Sequence, residues 1–394
     1  MSAQTAVAPI ENNEKLDALR MEMAKDYHVD ENAHLNHLLD EMARSDANRV
    51  RVTAQATELV HNVRANRRRF GGLDSFLNEY GLTTDEGIAL MCLSEALLRI
   101  PDRETADLLI KDKIGSAAWD EHVGKGSDLF VNASTWALML TGKVIGKAKA
   151  KEEHDDVSPS NVLQKLVQKA GEPVVRQAML HAMKILGHQF VIGRSIQEAM
   201  KTARPQEKMG YRYSYDMLGE AARTAEDATR YFNAYKDAID AIGKTVESYD
   251  EDASPITSAG ISVKLSALHP RYFVSQADKA LPLLIERLTE LALQCKSYNI
   301  GLTVDAEEAH RLDISLQILE AVRLDPRLNG WHGFGLAVQA YQKRAWMVMD
   351  WLAELARVSG HSLMVRLVKG AYWDTEIKYA QERGLDDYPV FTRK

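Results

Sequence analysis

The feature that most limits the possible folds is a regular alternation of short apolar runs with longer helical runs, which begins at residue 211. Such alternation is typical of βα units that build a parallel sheet. The predicted strands are Tyr211–Leu218, Ile261–Leu268, Ile300–Asp305, Phe334–Gln339 and Leu363–Val368. The predicted helices are Thr224–Ile242 (closed by Gly243), Ala280–Tyr298, Leu312–Leu324, Ala345–Val358 and Asp374–Glu382. No glycine-rich phosphate-binding motif follows any strand, so a (β/α)8 barrel fits better than a Rossmann or P-loop fold.

The chain before this alternation is predicted to be helical. Weak amphipathy marks two stretches before residue 45, and a longer pattern, Asn48–Arg69, ends in three arginines and two glycines. A run rich in lysine, acidic residues and Ser-Pro is the best linker candidate. We therefore predict a helical arm (1–70), an all-α domain (71–145), a linker (146–160) and a barrel (161–394).

Charge and cysteine content restrict the setting in which the protein works. The net charge of −7 argues against a general electrostatic attraction to nucleic acid or to an anionic membrane. The two cysteines, Cys92 and Cys295, lie in apolar helical patterns, which favours a reducing cytoplasm over a disulfide framework. Because no long apolar run and no signal peptide occur, we expect a chain that is neither secreted nor membrane-spanning.

Four successive predicted strands each carry one polar residue within or at the end of an apolar run: Lys264, Asp305, Gln339 and Arg366. In a parallel barrel the carboxyl ends of the strands converge on one face, where active sites are built. The four residues therefore predict a cleft. The alternative is a buried polar network that only fixes the register of the strands.

The stretch 363–374, LMVRLVKGAYWD, reads as a buried strand with an arginine inside it. A buried Arg366 needs an anionic or hydrogen-bonding partner. Gly370 allows close approach of the backbone, and Tyr372 and Trp373 offer flat faces to a planar ligand. An anionic, aromatic ligand satisfies both halves of the stretch. The alternative is a core strand whose arginine pairs with a neighbouring carboxylate.

No residue pattern here predicts a metal site or a protein nucleophile. Glu307 and Glu308 follow Asp305 without a histidine partner and fit a helix N-terminus better than a metal cage. The histidines nearby stand singly in the sequence, and we interpret them as surface or capping residues. Cations, an amide and aromatics without a nucleophile favour an organic cofactor that supplies the chemistry.

Several segments, in order, resemble the proline dehydrogenase barrel of the bifunctional proline utilization A family. The segments in the barrel are residues 215–222, 262–272, 305–308, 339–344 and 366–374. The resemblance extends upstream through LRIPD at 98–102 and LFVN at 129–132 to Gly142, and covers residues 85–394. The first 45 residues do not resemble the ribbon-helix-helix module of some members, so we expect no nucleic-acid binding.

The resemblance implies FAD-dependent oxidation of L-proline to pyrroline-5-carboxylate, the first step of proline catabolism to glutamate, with electrons passed to membrane quinone. Arg366 is expected to donate hydrogen bonds to the isoalloxazine and to favour the anionic reduced flavin, Lys264 to meet the proline carboxylate, and Asp305 to hold the cationic side chains. Tyr372 is expected to wall the substrate pocket. The cofactor-binding residues implied are Ala306, Val338, Gln339, Arg366, Val368, Lys369, Gly370, Ala371, Tyr372 and Trp373.

The resemblance also implies a homo-oligomer in the cytoplasm with peripheral association with the inner membrane. Family barrels have eight strands, whereas five are read here, so we expect an incomplete barrel without the arginine pair that clamps the proline carboxylate. The aldehyde dehydrogenase half of the family is not expected in this sequence. The competing hypothesis is a non-catalytic helical dimerisation module attached to a remnant barrel.

Overall fold

The computed structural model describes residues 14–41, 46–66, 191–247 and 254–393. These residues fall into two compact units. The larger unit combines 14–41 with 195–393, and the other contains 46–66 and 191–194. Elements are numbered below in chain order among the described residues.

The larger unit is built on a five-stranded parallel sheet. Its strands are β1 (Ser214–Asp216), β2 (Gly260–Val263), β3 (Gly301–Val304), β4 (Phe334–Gln339) and β5 (Met364–Val368). They lie in sequence order, and each pairs in parallel with the next. This is the arrangement of successive βα units, and it confirms the predicted mixed α/β class and a partial barrel.

In the chain, the described helices precede the strands, connect them, or follow the last one. They are α1 (Glu14–Lys25), α2 (Glu31–Glu41), α3 (Asp46–Asn66), α4 (Ile196–Glu207), α5 (Ala225–Glu247), α6 (Leu265–Leu268), α7 (Ala277–Ser297), α8 (Leu312–Arg323), α9 (Ala345–Ser359) and α10 (Trp373–Glu382). Short 3-10 turns occur at Asp26–His28, Val274–Gln276, Ala309–Arg311 and Pro326–Leu328. The buried face of α7 is apolar, as expected of a helix that covers a sheet.

Three predicted boundaries are wrong. The first strand covers only Ser214–Asp216 rather than Tyr211–Leu218. The second strand ends at Val263, and Leu265–Leu268 forms a short helix instead of extending it. Gly243 does not end its helix but lies inside α5. A Cβ at Gly243 would lie 2.1 Å from the ring of Tyr298, so the glycine is required there by packing against the end of α7.

The core lies between the sheet and its helices. All residues of β2, β3 and β4 are buried, as expected of parallel strands covered on both faces. β5 differs, because it is an edge strand with three exposed residues at its centre. The prediction that Arg366 lies inside a buried strand is therefore wrong, since its side chain is 43% exposed.

The N-terminal helix α1 packs on the barrel helices. Leu16 and Met23 are fully buried. Lys15 forms an ion pair with Glu354 of α9 at 2.7 Å, and Arg20 lies 3.5 Å from Glu320 of α8. The first helix is thus part of the larger unit. No helix among the described residues is long and apolar enough to cross a bilayer.

Several predicted features lie outside the described residues. These are the arginine triplet after α3, the linker, Cys92, and the all-α domain predicted for residues 71–145. The proposed division into arm, α-domain, linker and barrel stays a prediction.

Candidate active site

The register of the sheet brings three of the four predicted strand-end residues together. Val263 pairs with Val304, and Lys264 and Asp305 directly follow these two residues. Arg366 pairs with Ala337, one residue beyond the Val304–Leu336 pair. The three charged side chains therefore lie at the carboxyl ends of β2 and β3 and beside them on β5.

Asp305 is the centre of a charge cluster. One carboxylate oxygen accepts a hydrogen bond from Lys264 Nζ at 2.8 Å, and the other accepts from the guanidinium of Arg366. Arg366 also donates to Ser262 Oγ at 3.1 Å. Lys264 Nζ reaches a second carboxylate, Asp216, at 2.9 and 3.0 Å. Asp305 is thus the anionic partner that was predicted for Arg366 from its position in an apolar run.

Burial and charge set the protonation states in this cluster. Burial by itself would lower the pKa of Lys264, but the carboxylates of Asp305 and Asp216 raise that pKa above its usual value. Lys264 is therefore a cation at neutral pH. Burial raises the pKa of Asp216, and the positive charge of Lys264 opposes this shift.

Gln339 lies at the end of β4 and is bonded on both sides by protein groups. Its Nε2 donates to the carbonyl of Glu307 at 2.8 Å, and its Oε1 accepts from the amide of Ala371 at 3.1 Å. Its side-chain hydrogen bonds go to these two loops, so it joins the loop after β3 to the segment after β5. Since buried amides are expensive to leave unpaired, this link fixes both loops.

Glu307 fixes the loops after β2 and β3. Its buried carboxylate accepts a hydrogen bond from the amide of Ser266 at 3.0 Å and pairs with Arg311 at 3.0 Å. Burial raises the pKa of Glu307, while the Ser266 and Arg311 contacts lower it. We interpreted Glu307 as part of a helix N-terminus. Glu307 and Glu308 do precede the 3-10 turn Ala309–Arg311, which leads into α8, and Glu307 in addition ties one site loop to another.

The segment 368–372 rests on the loop after β4. The amides of Ala340 and Tyr341 donate to the carbonyls of Val368 and Lys369 at 2.8 and 3.0 Å. The phenol of Tyr341 accepts from the amide of Tyr372 at 3.0 Å. Gly370 has φ +131°, and a Cβ there would lie 2.6 Å from the Tyr341 ring, so only glycine fits.

The remaining predicted residues surround this segment. Val338 is buried in β4, and Ala306 and Val368 are partly exposed beside it. Lys369 and Ala371 are exposed. Burial raises the pKa of the Tyr372 phenol. The indole of Trp373 donates to the carbonyl of Phe391 at 2.8 Å, which commits its N–H to the protein.

Sequence reasoning missed four groups that shape the site: Asp216, Ser262, Glu307 in its bridging position, and Tyr341. Asp216 and Ser262 are paired neighbours on β1 and β2, so their spacing along the predicted strands was an available signal. The histidines interpreted as surface or capping residues accept backbone hydrogen bonds in two cases, His361 from Gly330 and His332 from Ser362, and they also contact other rings. His332 and His361 lie 5.3 Å apart, and the ring of His310 stacks between Phe273 and Tyr379.

A metal centre has no support in the part of the chain that is described. No group of three or more histidine, cysteine or acidic side chains there could hold a metal ion.

Comparison with known proteins assigns the chain to a family. Residues 199–394 match the family described as proline dehydrogenase. Residues 72–190 match the family described as the DNA-binding domain of proline dehydrogenase. The chain belongs to the proline dehydrogenase family. The second match counts against our expectation that this chain binds no nucleic acid, and it falls on residues outside the described ranges.

The relatives identify the kind of proline dehydrogenase. The chain is 49% identical over 340 residues to the bifunctional protein PutA of Klebsiella aerogenes, covering 86% of the chain and 25% of that protein. It is 44% identical to the bifunctional protein PutA of Rhizobium meliloti, and this match covers 95% of the chain and 29% of that protein. A crystal structure of a variant of proline utilization A from Bradyrhizobium japonicum matches with a TM-score of 0.64 and 45% sequence identity. The match covers 93% of this chain and 35% of that one.

The match concerns the N-terminal part of these proteins. The chain spans about a quarter of the length of the curated relatives it matches.

Proposed function

We propose that this chain carries the proline-oxidising site of a PutA-type protein, which converts L-proline to pyrroline-5-carboxylate with FAD and passes electrons to membrane quinone. The observation that carries the proposal is the cluster of Lys264 and Asp305, at the carboxyl ends of β2 and β3, with Arg366 of β5. Active sites of parallel barrels are built at this face. The family membership and the similarity to PutA support the same reaction.

Lys264 is the group that would bind the proline carboxylate. An ammonium has three N–H donors. One of these N–H groups donates to Asp305. The two oxygens of Asp216 lie at nearly equal distances from Nζ, so a single N–H shared between them can account for both contacts. One donor then remains for a substrate carboxylate. Since the two aspartates keep Lys264 protonated, the donor is available throughout the neutral pH range.

The residues present also fit FAD. The half-exposed guanidinium of Arg366 offers donors to an electron-rich ring system. Lys369 is exposed beside Gly370, where its side chain would meet the anionic phosphates of the cofactor. When bound, FAD would supply the hydride acceptor for the ring carbon next to the proline nitrogen.

This chain's own residues would orient the reactants. Asp305 holds Lys264 and Arg366 on opposite oxygens, so substrate-binding and cofactor-binding cations keep a fixed separation. Tyr372 would form a wall of the substrate pocket. The proposal includes a homo-oligomer, a cytoplasmic location and peripheral contact with the inner membrane, as in our reading of the sequence.

The test is a cofactor and substrate titration of the purified chain with an Arg366→Met variant. We expect the native chain to bind FAD and to lose flavin absorbance when L-proline, but not D-proline, is added without oxygen. Removing a charge-assisted hydrogen bond of about 1.5 to 3 kcal/mol should weaken FAD binding about tenfold or more.

The matched control is Arg230→Met. Arg230 pairs with Asp227 at 2.9 Å on α5 and lies outside the charge cluster. Its replacement should leave FAD binding unchanged. Equal FAD affinity in the native chain and in Arg366→Met would contradict the assignment of Arg366 to the flavin, and a chain that binds no FAD would contradict the proposed function.

A further inference from the structure

Residues 26–31, which follow α1 and end at the first residue of α2, contact the loop after β4. This loop supports residues 368–372, the segment proposed to approach the flavin. We call residues 26–31 the clasp segment and residues 340–344 the β4 loop. The clasp segment contains the 3-10 turn Asp26–His28 and the start of α2. Both stretches belong to the same compact unit.

The first contact is a buried ion site at Lys343. The Lys343 side chain is 0% exposed, and its Nζ donates to the carbonyl of Val29 at 2.7 Å and to Asp387 at 2.8 Å. A buried ammonium is costly unless its donors are paired. The carbonyl from the clasp segment therefore supplies one of the partners that allow Lys343 to lie inside the protein.

The second contact is a cation–π interaction at the next residue. The guanidinium of Arg344 lies 4.2 Å from the centroid of the Tyr27 ring. Arg344 also donates to the carbonyl of Ala309 at 2.6 Å and pairs with Asp313 at 3.3 Å. Because Arg344 is buried, the aromatic face replaces water over one side of the guanidinium. Burial raises the pKa of Tyr27 to about 12, so the ring is neutral.

A third contact closes the clasp segment over the C-terminal stretch. The carboxylate of Glu31 accepts hydrogen bonds from the amide of Thr392 at 3.0 and 3.2 Å and from its hydroxyl at 3.1 Å. The neighbouring Phe391 amide donates to the carbonyl of Tyr341, at 2.9 Å. The β4 loop is thus held from the clasp segment directly and through residues 391–392.

The β4 loop in turn supports the segment 368–372. Tyr341 is the connecting residue, since its amide donates to Lys369 and its phenol accepts from Tyr372. Its ring fills the space beside Gly370. A shift of the β4 loop would therefore move the backbone proposed to approach the flavin.

We propose that the clasp segment is a positioning element of the active site, which holds the β4 loop and thereby residues 368–372 in a binding-competent geometry. Tyr27 acts through Arg344 and is not a catalytic residue. The clasp segment is remote in sequence from the strands that carry the site, yet its contacts reach the site in two steps. The role in cofactor binding rests on the proposed function, whereas the support of the loop does not.

The test compares amide hydrogen exchange in three full-length chains without FAD: the native chain, Tyr27→Ala and Tyr27→Phe. The Tyr341 and Tyr372 amides report on the loop contacts, and the Asp305 amide, bonded to the Val263 carbonyl at 2.9 Å, reports on the sheet. We expect exchange at the two tyrosine amides to rise about tenfold in Tyr27→Ala, with the Asp305 amide unchanged. Tyr27→Phe keeps the aromatic face and should restore native exchange.

Control variants and a second readout separate the possible outcomes. Glu22→Ala removes an exposed pair with Lys25 on α1 and should behave as the native chain. Native exchange at both tyrosine amides in Tyr27→Ala would overturn the proposal. So would equal acceleration at Asp305, because that indicates general destabilisation, and so would failure of Tyr27→Phe to restore protection.

FAD titration of the same variants gives the second readout. Tyr27→Ala should bind FAD about tenfold more weakly than Tyr27→Phe. Equal FAD affinities would overturn the positioning role even if exchange changes. If the native chain itself binds no FAD, the proposed function fails, and the role in cofactor binding fails with it, while the exchange data still decide whether the clasp segment supports the loop.

Discussion

Replacement of Asp305 by asparagine tests the charge cluster most directly. The Asp305 side chain is only 10% exposed, and its two oxygens accept from two different cations. An asparagine keeps one carbonyl oxygen and turns an NH2 group toward the other cation. Asp305→Asn therefore preserves at most one of the two hydrogen bonds and removes the charge that attracts both.

The expected loss of stability follows from how exposed the two hydrogen-bond partners of Asp305 are. A hydrogen bond to a charged group contributes about 1.5 to 3 kcal/mol when buried. Lys264 is 14% exposed and keeps Asp216, whereas Arg366 is 43% exposed, so its share is discounted to about 0.5 kcal/mol for solvent screening. We expect Asp305→Asn to lower the free energy of unfolding by about 2 to 3 kcal/mol at pH 7.

The assay is urea denaturation of the native chain, Asp305→Asn and a control. Glu290→Gln makes the same change from carboxylate to amide in the more exposed pair with Lys236, and should cost less than about 1 kcal/mol. The reasoning is refuted if Asp305→Asn is no more destabilising than Glu290→Gln. Adding Arg366→Met to Asp305→Asn should cost less than the sum of the single changes, because the two side chains share one interaction.

Two further predictions concern Lys264 and the contact of α1 with α9. Lys264→Ala should raise the KM for proline more than it weakens FAD binding, because the proposed contact is to substrate; loss of FAD with a normal KM would place Lys264 in the cofactor site. Hydrogen bonds from Arg357 and Lys15 lower the pKa of Glu354 from 4.5 to about 2. The contact therefore stabilises the fold fully above pH 4.5, and this stabilisation is lost as the pH falls through about 2. Between these pH values the unfolding free energy of the native chain should decrease more steeply than that of Glu354→Gln, as measured by urea denaturation at each pH.

The strand order was predictable because local signals and long-range packing agree in this region. Apolar runs and helical runs alternate, and a parallel sheet places the strands of successive βα units side by side. Gly243 shows where local signals fail. Glycine usually ends a helix, but here the ring of Tyr298, on a different helix, occupies the space a side chain would need.

The second strand fails for a different reason. An apolar run does not distinguish a buried strand from a buried helical turn by its periodicity. In Leu265–Leu268 all four residues are buried, so helix and strand bury the same side chains. The chain turns after Val263, and this turn is what leaves Lys264 at the strand end beside Asp305.

The site could be predicted where a polar residue interrupts an apolar run, and not elsewhere. Lys264, Asp305 and Arg366 stood out for that reason. Asp216 did not stand out in this way, because its predicted strand, YRYSYDML, already contains an arginine and a serine among its tyrosines; only its spacing relative to Ser262 was a signal. Tyr341 could have been found only by asking what fills the space beside Gly370, which requires the pairing of β4 with β5.

The missed residue Asp216 changes how the cluster would select its ligand. Two carboxylates, Asp216 and Asp305, face two cations, Lys264 and Arg366, so the cluster is balanced without a ligand. A zwitterion such as proline adds one charge of each sign and keeps this balance, whereas a simple carboxylic acid would add a net negative charge beside two aspartates. In the proposed site, Asp216, the more exposed carboxylate at 46%, would meet the substrate ammonium while Lys264 meets the carboxylate. Under the proposed function, the cluster therefore favours amino acids over carboxylates of the same shape.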